Sequence, residues 1–194
     1  MNYWQKRELK QRELQYDRTL AQYEAELRKQ YQQSLKAVSR DIEKLYDELL
    51  VSSADGTLLA SDLYKYNRYF SLLKSLNKQL KALGGKEITI TNQKLLDMYA
   101  ITSSSVGKSI NFSGEFNQKT AKEVINSIWC ADGKHWSNRI WQNKAQLQVA
   151  LEKGLIDCVS RGVSKDELVK TLMETFDVSY RKADRIARTE LSYV

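Results

Sequence analysis

The chain contains no proline, only 8 glycines, 2 cysteines and one histidine among its 194 residues. Proline and glycine are the residues that most often break or turn a helix, so their scarcity argues against a turn-rich β architecture and for long helices. The two cysteines, Cys130 and Cys158, form no CxxC pair, and with His135 as the sole histidine there are too few soft ligands for a zinc site. Reduced thiols, no metal and no cofactor are the expectation. No run of about 18 apolar residues occurs. The opening stretch MNYWQKRELK is charged from its sixth residue and lacks the apolar centre of a secretory signal. A protein made in a cytoplasm, soluble and without membrane contact, is therefore expected.

What is present suits a helical globule. Hydrophobic residues make up 42% and charged residues 28%, a balance that supports one substantial core or two small ones without disulfide or metal staples. The net charge of +7 is uneven: residues 51–114 carry 8 basic against 4 acidic side chains, whereas residues 1–50 carry 10 against 9. Such a bias permits a polyanionic partner without demanding one.

Helical periodicity dominates. Leu20, Tyr23, Leu27, Tyr31, Leu35, Val38, Ile42, Leu45 and Leu49 step by three or four, placing them on one face of an α-helix. A helix over residues 3–50 would be about 70 Å long at about 1.5 Å per residue. Residues 52–56, SSADG, are read as a turn that separates it from a second helix over 61–83 with Leu63, Tyr66, Phe70, Leu73, Leu76, Leu80 and Leu83 as its stripe. Gly84 and Gly85 end that helix as C-cap glycines do. EITIT then alternates like a short strand, NQKLLDMYAI reads as a further helix, and a polar loop follows. After a break at Ala131, Asp132 and Gly133, helices are expected from Trp136 to Val159 and, beyond a turn at Arg161 and Gly162, from a capping box formed by Ser164 and Glu167. Ser179 is read as the cap of a last, separate segment. The fold class is all-α: a long N-terminal helix or helical hairpin spanning an elongated region, 1–114, followed by a helical cluster, 115–194.

Candidate chemistry is sparse. TSSSVGKS, residues 102–109, ends in the Gly-Lys-Ser of a phosphate-binding loop, but Thr102 stands where that motif requires glycine and no apolar strand supplies a magnesium-binding aspartate. A flexible polar loop is the expected reading. His135, with Asp132 nearby in sequence, lacks a recognisable nucleophile, so no catalytic residue is assigned. Lys74, Lys78 and Lys81 form a helical stripe, with Lys65 and Arg68 upstream, of the kind that meets a phosphate backbone nonspecifically. Solvated lysines are the alternative.

Three stretches in order carry a family resemblance: NYWQKRELK, HWSNRIWQN, and RGVSKDELVKTLMETF followed by RKADRIARTE. Together they resemble the minor head proteins of tailed phages, the Mu F-like head morphogenesis family. The matching positions are Tyr3 and Trp4; Trp136, Ser137, Arg139, Ile140 and Trp141; Gly162; and Arg185, Arg188, Thr189 and Glu190. The resemblance implies a non-enzymatic protein inside the capsid at the portal vertex, partnered by the portal oligomer, by scaffolding or major capsid protein, and by packaged double-stranded DNA. It also implies roles in head assembly and in DNA packaging or ejection. A helical DNA-binding or regulatory protein using a basic helix face is the alternative. Arg185 and Arg188 can share a face, with Glu190 paired to a neighbouring basic side chain. Family members commonly continue into a further domain, so Leu191, Tyr193 and Val194 are expected to be apolar residues deprived of their packing partner or covered by one in an assembled head.

Overall fold

The computed structural model describes residues 3–52, 68–109 and 117–194. Five helices and no strand occur among them: α1 (Tyr3–Ser52), α2 (Arg68–Ser109), α3 (Gln118–Ile125), α4 (Trp136–Ser160) and α5 (Lys165–Tyr193). The expected all-α class holds, with a long N-terminal helix followed by a helical cluster. The start of the second helix, including Leu63, Lys65 and Tyr66, and the expected boundary at residue 114 lie outside the described residues.

Two compact units are built from interleaved segments: residues 1–28, 87–140 and 183–194 form unit 1, and residues 29–86 and 141–182 form unit 2. In unit 1, Leu20 of α1, Leu95 and Met98 of α2, Ile125 of α3, Trp136 and Ile140 of α4 and Leu191 of α5 form one buried cluster. Val194 packs against it and Leu191 is 2% exposed, so the expectation that these two residues had lost their packing partner is corrected: their own unit covers them. In unit 2, α1 buries Val38, Ile42, Leu45 and Leu49, while α4 and α5 bury Leu151, Leu155, Leu168 and Leu172. Each such side chain contributes about 1.5–3 kcal/mol through removal from water. All nine periodic positions of α1 are buried except Leu35, which is half-buried.

The second stripe is offset from its expected register. Phe70 is 62% exposed, and Tyr69 and Leu72 are buried in its place, joining Leu76, Leu80 and Leu83. Nor do Gly84 and Gly85 stop the helix; α2 runs straight through both and through EITIT to Ser109. The strand, the helix break and the flexible loop at 102–109 are all corrected. The physical reason is local to Gly84, where a Cβ would sit 2.5 Å from the Trp141 ring. Glycine is there to admit an indole, at the cost of some helix propensity.

The true stops use different chemistry. Asn117 caps α3, its side-chain oxygen accepting from the amides of Lys119 and Thr120. At the other end of α3 the Asn126 amide and the Ser127 hydroxyl donate to the carbonyls of Lys122 and Val124. Gly162, with φ of 63°, closes α4 as the amides of Gly162 and Val163 donate to the carbonyls of Val159 and Cys158, each at 3.1 Å. Ser164 then accepts from the Glu167 amide at 3.3 Å and opens α5, as the capping spacing implied. Ser179 starts nothing: it is buried in mid-helix.

The glycine pair supplies a prediction. Gly85→Ala, whose Cβ meets nothing within 4 Å, should stabilise the protein by up to about 1 kcal/mol through helix propensity. Gly84→Ala should instead destabilise by about 1–3 kcal/mol because the Trp141 ring must shift. Chemical denaturation of both variants reads the difference, and equal stabilisation by the two would contradict the close contact.

Candidate functional site

The segment joining α3 to α4 is ordered by one arginine. Arg139 lies on the first turn of α4, and its guanidinium donates through Nε and one terminal nitrogen to the two oxygens of Asp132, at 3.2 and 2.6 Å. Its other terminal nitrogen donates to Glu190 at 2.7 Å, bridging 51 residues of sequence to α5. Glu190 is 4% exposed, and its second oxygen accepts from the Trp129 indole nitrogen at 3.0 Å. Trp129 in turn stacks on Tyr193, with ring centroids 4.2 Å apart and planes within 3°. The Trp136 indole donates to the carbonyl of Ile125 at 3.1 Å, satisfying a free carbonyl at the end of α3.

Charge follows geometry. The Arg139 hydrogen bonds hold the Asp132 carboxyl below the usual aspartate range, aided by the Lys134 amide, and the same bonds raise Arg139 further above its already high value. A guanidinium using all three nitrogens on two carboxylates is a fixed strut.

His135 is similarly engaged. Its Nδ1 lies 2.7 Å from the Ser137 hydroxyl and accepts from the Ser137 amide at 3.2 Å, while Nε2 lies 3.2 Å from the Asn126 side-chain oxygen. Because the Asn126 nitrogen is committed to the Lys122 carbonyl, its oxygen faces the ring and Nε2 carries the proton. Burial lowers the His135 pKa, and Arg139 lowers it further against the opposing pull of Glu190. A pairing with Asp132 is not formed.

The motif residues thus fall into two sets. Trp136, Ser137, Arg139, Ile140 and Glu190 belong to unit 1, with Trp136 and Ile140 buried. Arg188, also in unit 1, pairs with Asp184 at 2.9 Å and with Glu24 of α1; its backbone carbonyl accepts from the Tyr16 hydroxyl at 3.3 Å. Arg185 is exposed, and its carbonyl accepts from Thr189. Glu190 is therefore paired across the fold with Arg139 rather than with a basic neighbour on its own helix. Tyr3 is 71% exposed at the start of α1, and the Trp4 side chain lies outside the description. Trp141 and Gly162 belong to unit 2, packing on Gly84 and closing α4 respectively.

The lysine stripe is split. Lys78 borders a cleft between α1 and α2, whereas Lys81 borders another beside Trp141 and Lys144. Lys74, Lys78 and Lys81 are exposed and make no ion pair among the described residues, unlike Lys94, which pairs with Glu26 at 3.1 Å. Arg68 is half-buried at the start of α2.

Sequence reasoning missed a buried polar cluster in unit 2. Asn143 donates to the Ser179 carbonyl at 2.9 Å and accepts from the Ser179 hydroxyl at 3.2 Å. Lys144, 3% exposed, donates to the Tyr31 hydroxyl. The signal was available: Asn143 and Lys144 occupy the same helical face as Ile140, Leu147 and Leu151, where apolar side chains are the norm. Among the described residues no cluster of potential ligands could hold a metal, and no helix is long and apolar enough to cross a membrane.

Comparison with family models, curated proteins and solved structures yields no match to this chain.

A pH dependence follows from the site. A histidine whose folded pKa is depressed binds protons less readily folded than unfolded, so stability is lost as pH falls from about 6.5 through the folded value. Asp132, also depressed, adds a second loss below the ordinary aspartate range. Thermal unfolding followed across pH should show both losses, and His135→Gln should remove the upper one alone. An unchanged profile in that variant would refute the assignment.

Proposed function

We propose that the chain is a non-enzymatic minor head protein of a tailed phage. On this reading it is made in the host cytoplasm, resides in the capsid interior at the portal vertex, and acts in head assembly and in DNA packaging or ejection. The observation that supports it most is the Arg139–Glu190 pair at 2.7 Å. Arg139 comes from the central motif of the resemblance and Glu190 from the last, and a pair that needs both gives a physical reason for their occurrence together. No reaction is part of the reading: the charged groups of the site are bound to one another, as a structural joint requires.

The portal oligomer is the proposed partner, with scaffolding or major capsid protein and packaged duplex DNA as further ones. A second reading, a DNA-binding or regulatory helical protein, is favoured by the exposed Lys74, Lys78 and Lys81, which make no ion pair among the described residues. Such contacts would be nonspecific and lost with salt, since each neutralised phosphate contributes a slope of about −0.9 in log affinity against log salt.

One sedimentation experiment separates the two. The chain is mixed with a purified portal ring and, separately, with duplex DNA at low and raised salt. Co-sedimentation with the ring that persists in the triple Lys74→Ala, Lys78→Ala, Lys81→Ala variant is the expected result. Failure to sediment with any portal ring, combined with lysine-dependent DNA binding, would replace the first reading by the second.

A further inference from the structure

In unit 2 the outward face of α4 carries no charge. Between Arg139 and Glu152 the only charged residue is Lys144, which is buried, whereas Trp141, Gln142, Ala145, Gln146, Val149 and Ala150 are all exposed. In the same unit α5 exposes Asp166, Glu167, Lys170, Glu174, Asp177 and Arg181 over a similar length. About three turns of exposed helix without a charge offer nothing to a phosphate backbone. They match instead the centre of a protein–protein interface, where charge is depleted and tryptophan enriched.

The apolar members of this face form one stripe. Trp141, Ala145 and Val149 follow each other at four-residue spacing, with Trp141 41% and Val149 65% exposed. The Trp141 ring lies so close to α2 that a Cβ on Gly84 would approach it to 2.5 Å. That contact fixes the exposed part of the indole before any partner arrives. Beside the stripe a groove of about 400 Å³ opens between α2 and α4, with Leu80, Trp141 and Ala145 in its lining.

The order of these residues selects the occupant, because the stripe is self-complementary about Ala145. Trp141 lies four residues before that alanine and Val149 four after, while Gln142 and Gln148 lie three before and three after. Laid antiparallel on a second copy about a two-fold axis through Ala145, α4 sets Trp141 of each copy against Val149 of the other. Gln142 then faces Gln148. The Gln148 amide nitrogen already donates to Glu152 at 2.9 Å, and its oxygen is the group that accepts from Gln142 of the other copy. Alanine at the axis lets the two helices approach to about 8–10 Å. The same rotation carries the two α2 helices to opposite flanks, so Lys81, at the edge of the groove, does not meet its own copy. A charged partner has no counter-charge on the stripe, and a second copy needs none.

We propose that α4 pairs antiparallel with α4 of a second copy of this chain, giving a symmetric dimer in solution. Contact through one helix face falls short of the about 800 Å² per partner of a standard interface, so the dimer forms reversibly and its population rises with concentration. Such a dimer depends neither on the phage reading nor on DNA binding.

The test is sedimentation velocity of the full chain over a concentration series, with oxidative cross-linking to fix the register. A monomer–dimer transition is expected. Ala145→Glu, which sets two carboxylates against each other at the axis, should weaken dimerisation at least about tenfold without lowering the melting temperature, because the site is exposed. Val178→Glu, at an exposed apolar position on α5, should leave the dimer unchanged. Ala145→Cys should cross-link the two copies, since residues on the axis can meet the Cα separation of about 4.4–6.8 Å that a disulfide requires. Val149→Cys should not, because the two thiols are about 12 Å apart along the helices. The parent chain gives the background, its Cys130 half-buried and its Cys158 buried. A chain that stays monomeric up to about 1 mM, the weakest affinity of interest, overturns the proposal. So does a dimer indifferent to Ala145→Glu, one broken by Val178→Glu, or one cross-linked through position 149 and not through 145.

Discussion

The guanidinium of Arg139 is the constraint on which unit 1 depends. The ten residues between α3 and α4 contain no regular structure, and their backbone would be costly to order without compensation. Arg139 fastens this segment through Asp132 and fastens α5 through Glu190 with one planar group. Both carboxylates would repel each other without it. Once they are fixed, the Trp129 ring is held against Tyr193 and the Trp136 ring is held over the end of α3. The apolar cluster around Leu20, Leu95 and Ile140 then closes beneath. Glu190 is desolvated more than Arg139 or Asp132, so its charge depends most on the pairing.

Unit 2 is held on a different principle. Long helices of modest intrinsic stability are retained by burying a continuous apolar stripe, and α1 supplies that stripe with leucines, isoleucine and valine. A purely apolar seam tolerates sliding by a helical turn. The Asn143–Ser179 hydrogen bonds and the Lys144–Tyr31 contact can each form in only one alignment of α1, α4 and α5, as can the fit of Trp141 onto Gly84. Polar pairing and one close backbone approach thus set register where hydrophobicity alone does not.

Local periodicity made the helices legible, and tertiary demands hid the rest. The stripe of α1 from Leu20 to Leu49 could be read directly because its spacing and its burial have the same cause. The glycine pair was misread because a helix stop and a site for indole contact look alike in sequence; only the position of Trp141, 57 residues on, tells them apart. Ser179 was misread for a related reason, since a serine favoured at a cap is equally able to satisfy Asn143 inside a core. At the site, the individual residues Trp136, Arg139, Ile140 and Glu190 were picked out by resemblance, but the contact between Arg139 and Glu190 is long-range and has no local signature. Trp129 went unassigned because it lies in a segment without periodicity, and Asp132 was considered beside His135 although its partner is Arg139. Phe70 failed as a core residue because two registers one residue apart share Leu76, Leu80 and Leu83.

The proposed minor head role rests on the claim that segments far apart in sequence act as one joint. The most direct measurement is a double-mutant cycle in chemical denaturation using Arg139→Met, Glu190→Gln and the pair. Arg139→Met should destabilise by about 3 kcal/mol or more by leaving the buried Glu190 charge unpaired, Glu190→Gln by less because Asp132 still pairs with Arg139, and the double variant should lose less than the sum by about 1–3 kcal/mol. Additive losses, with no coupling between the two positions, would contradict the account.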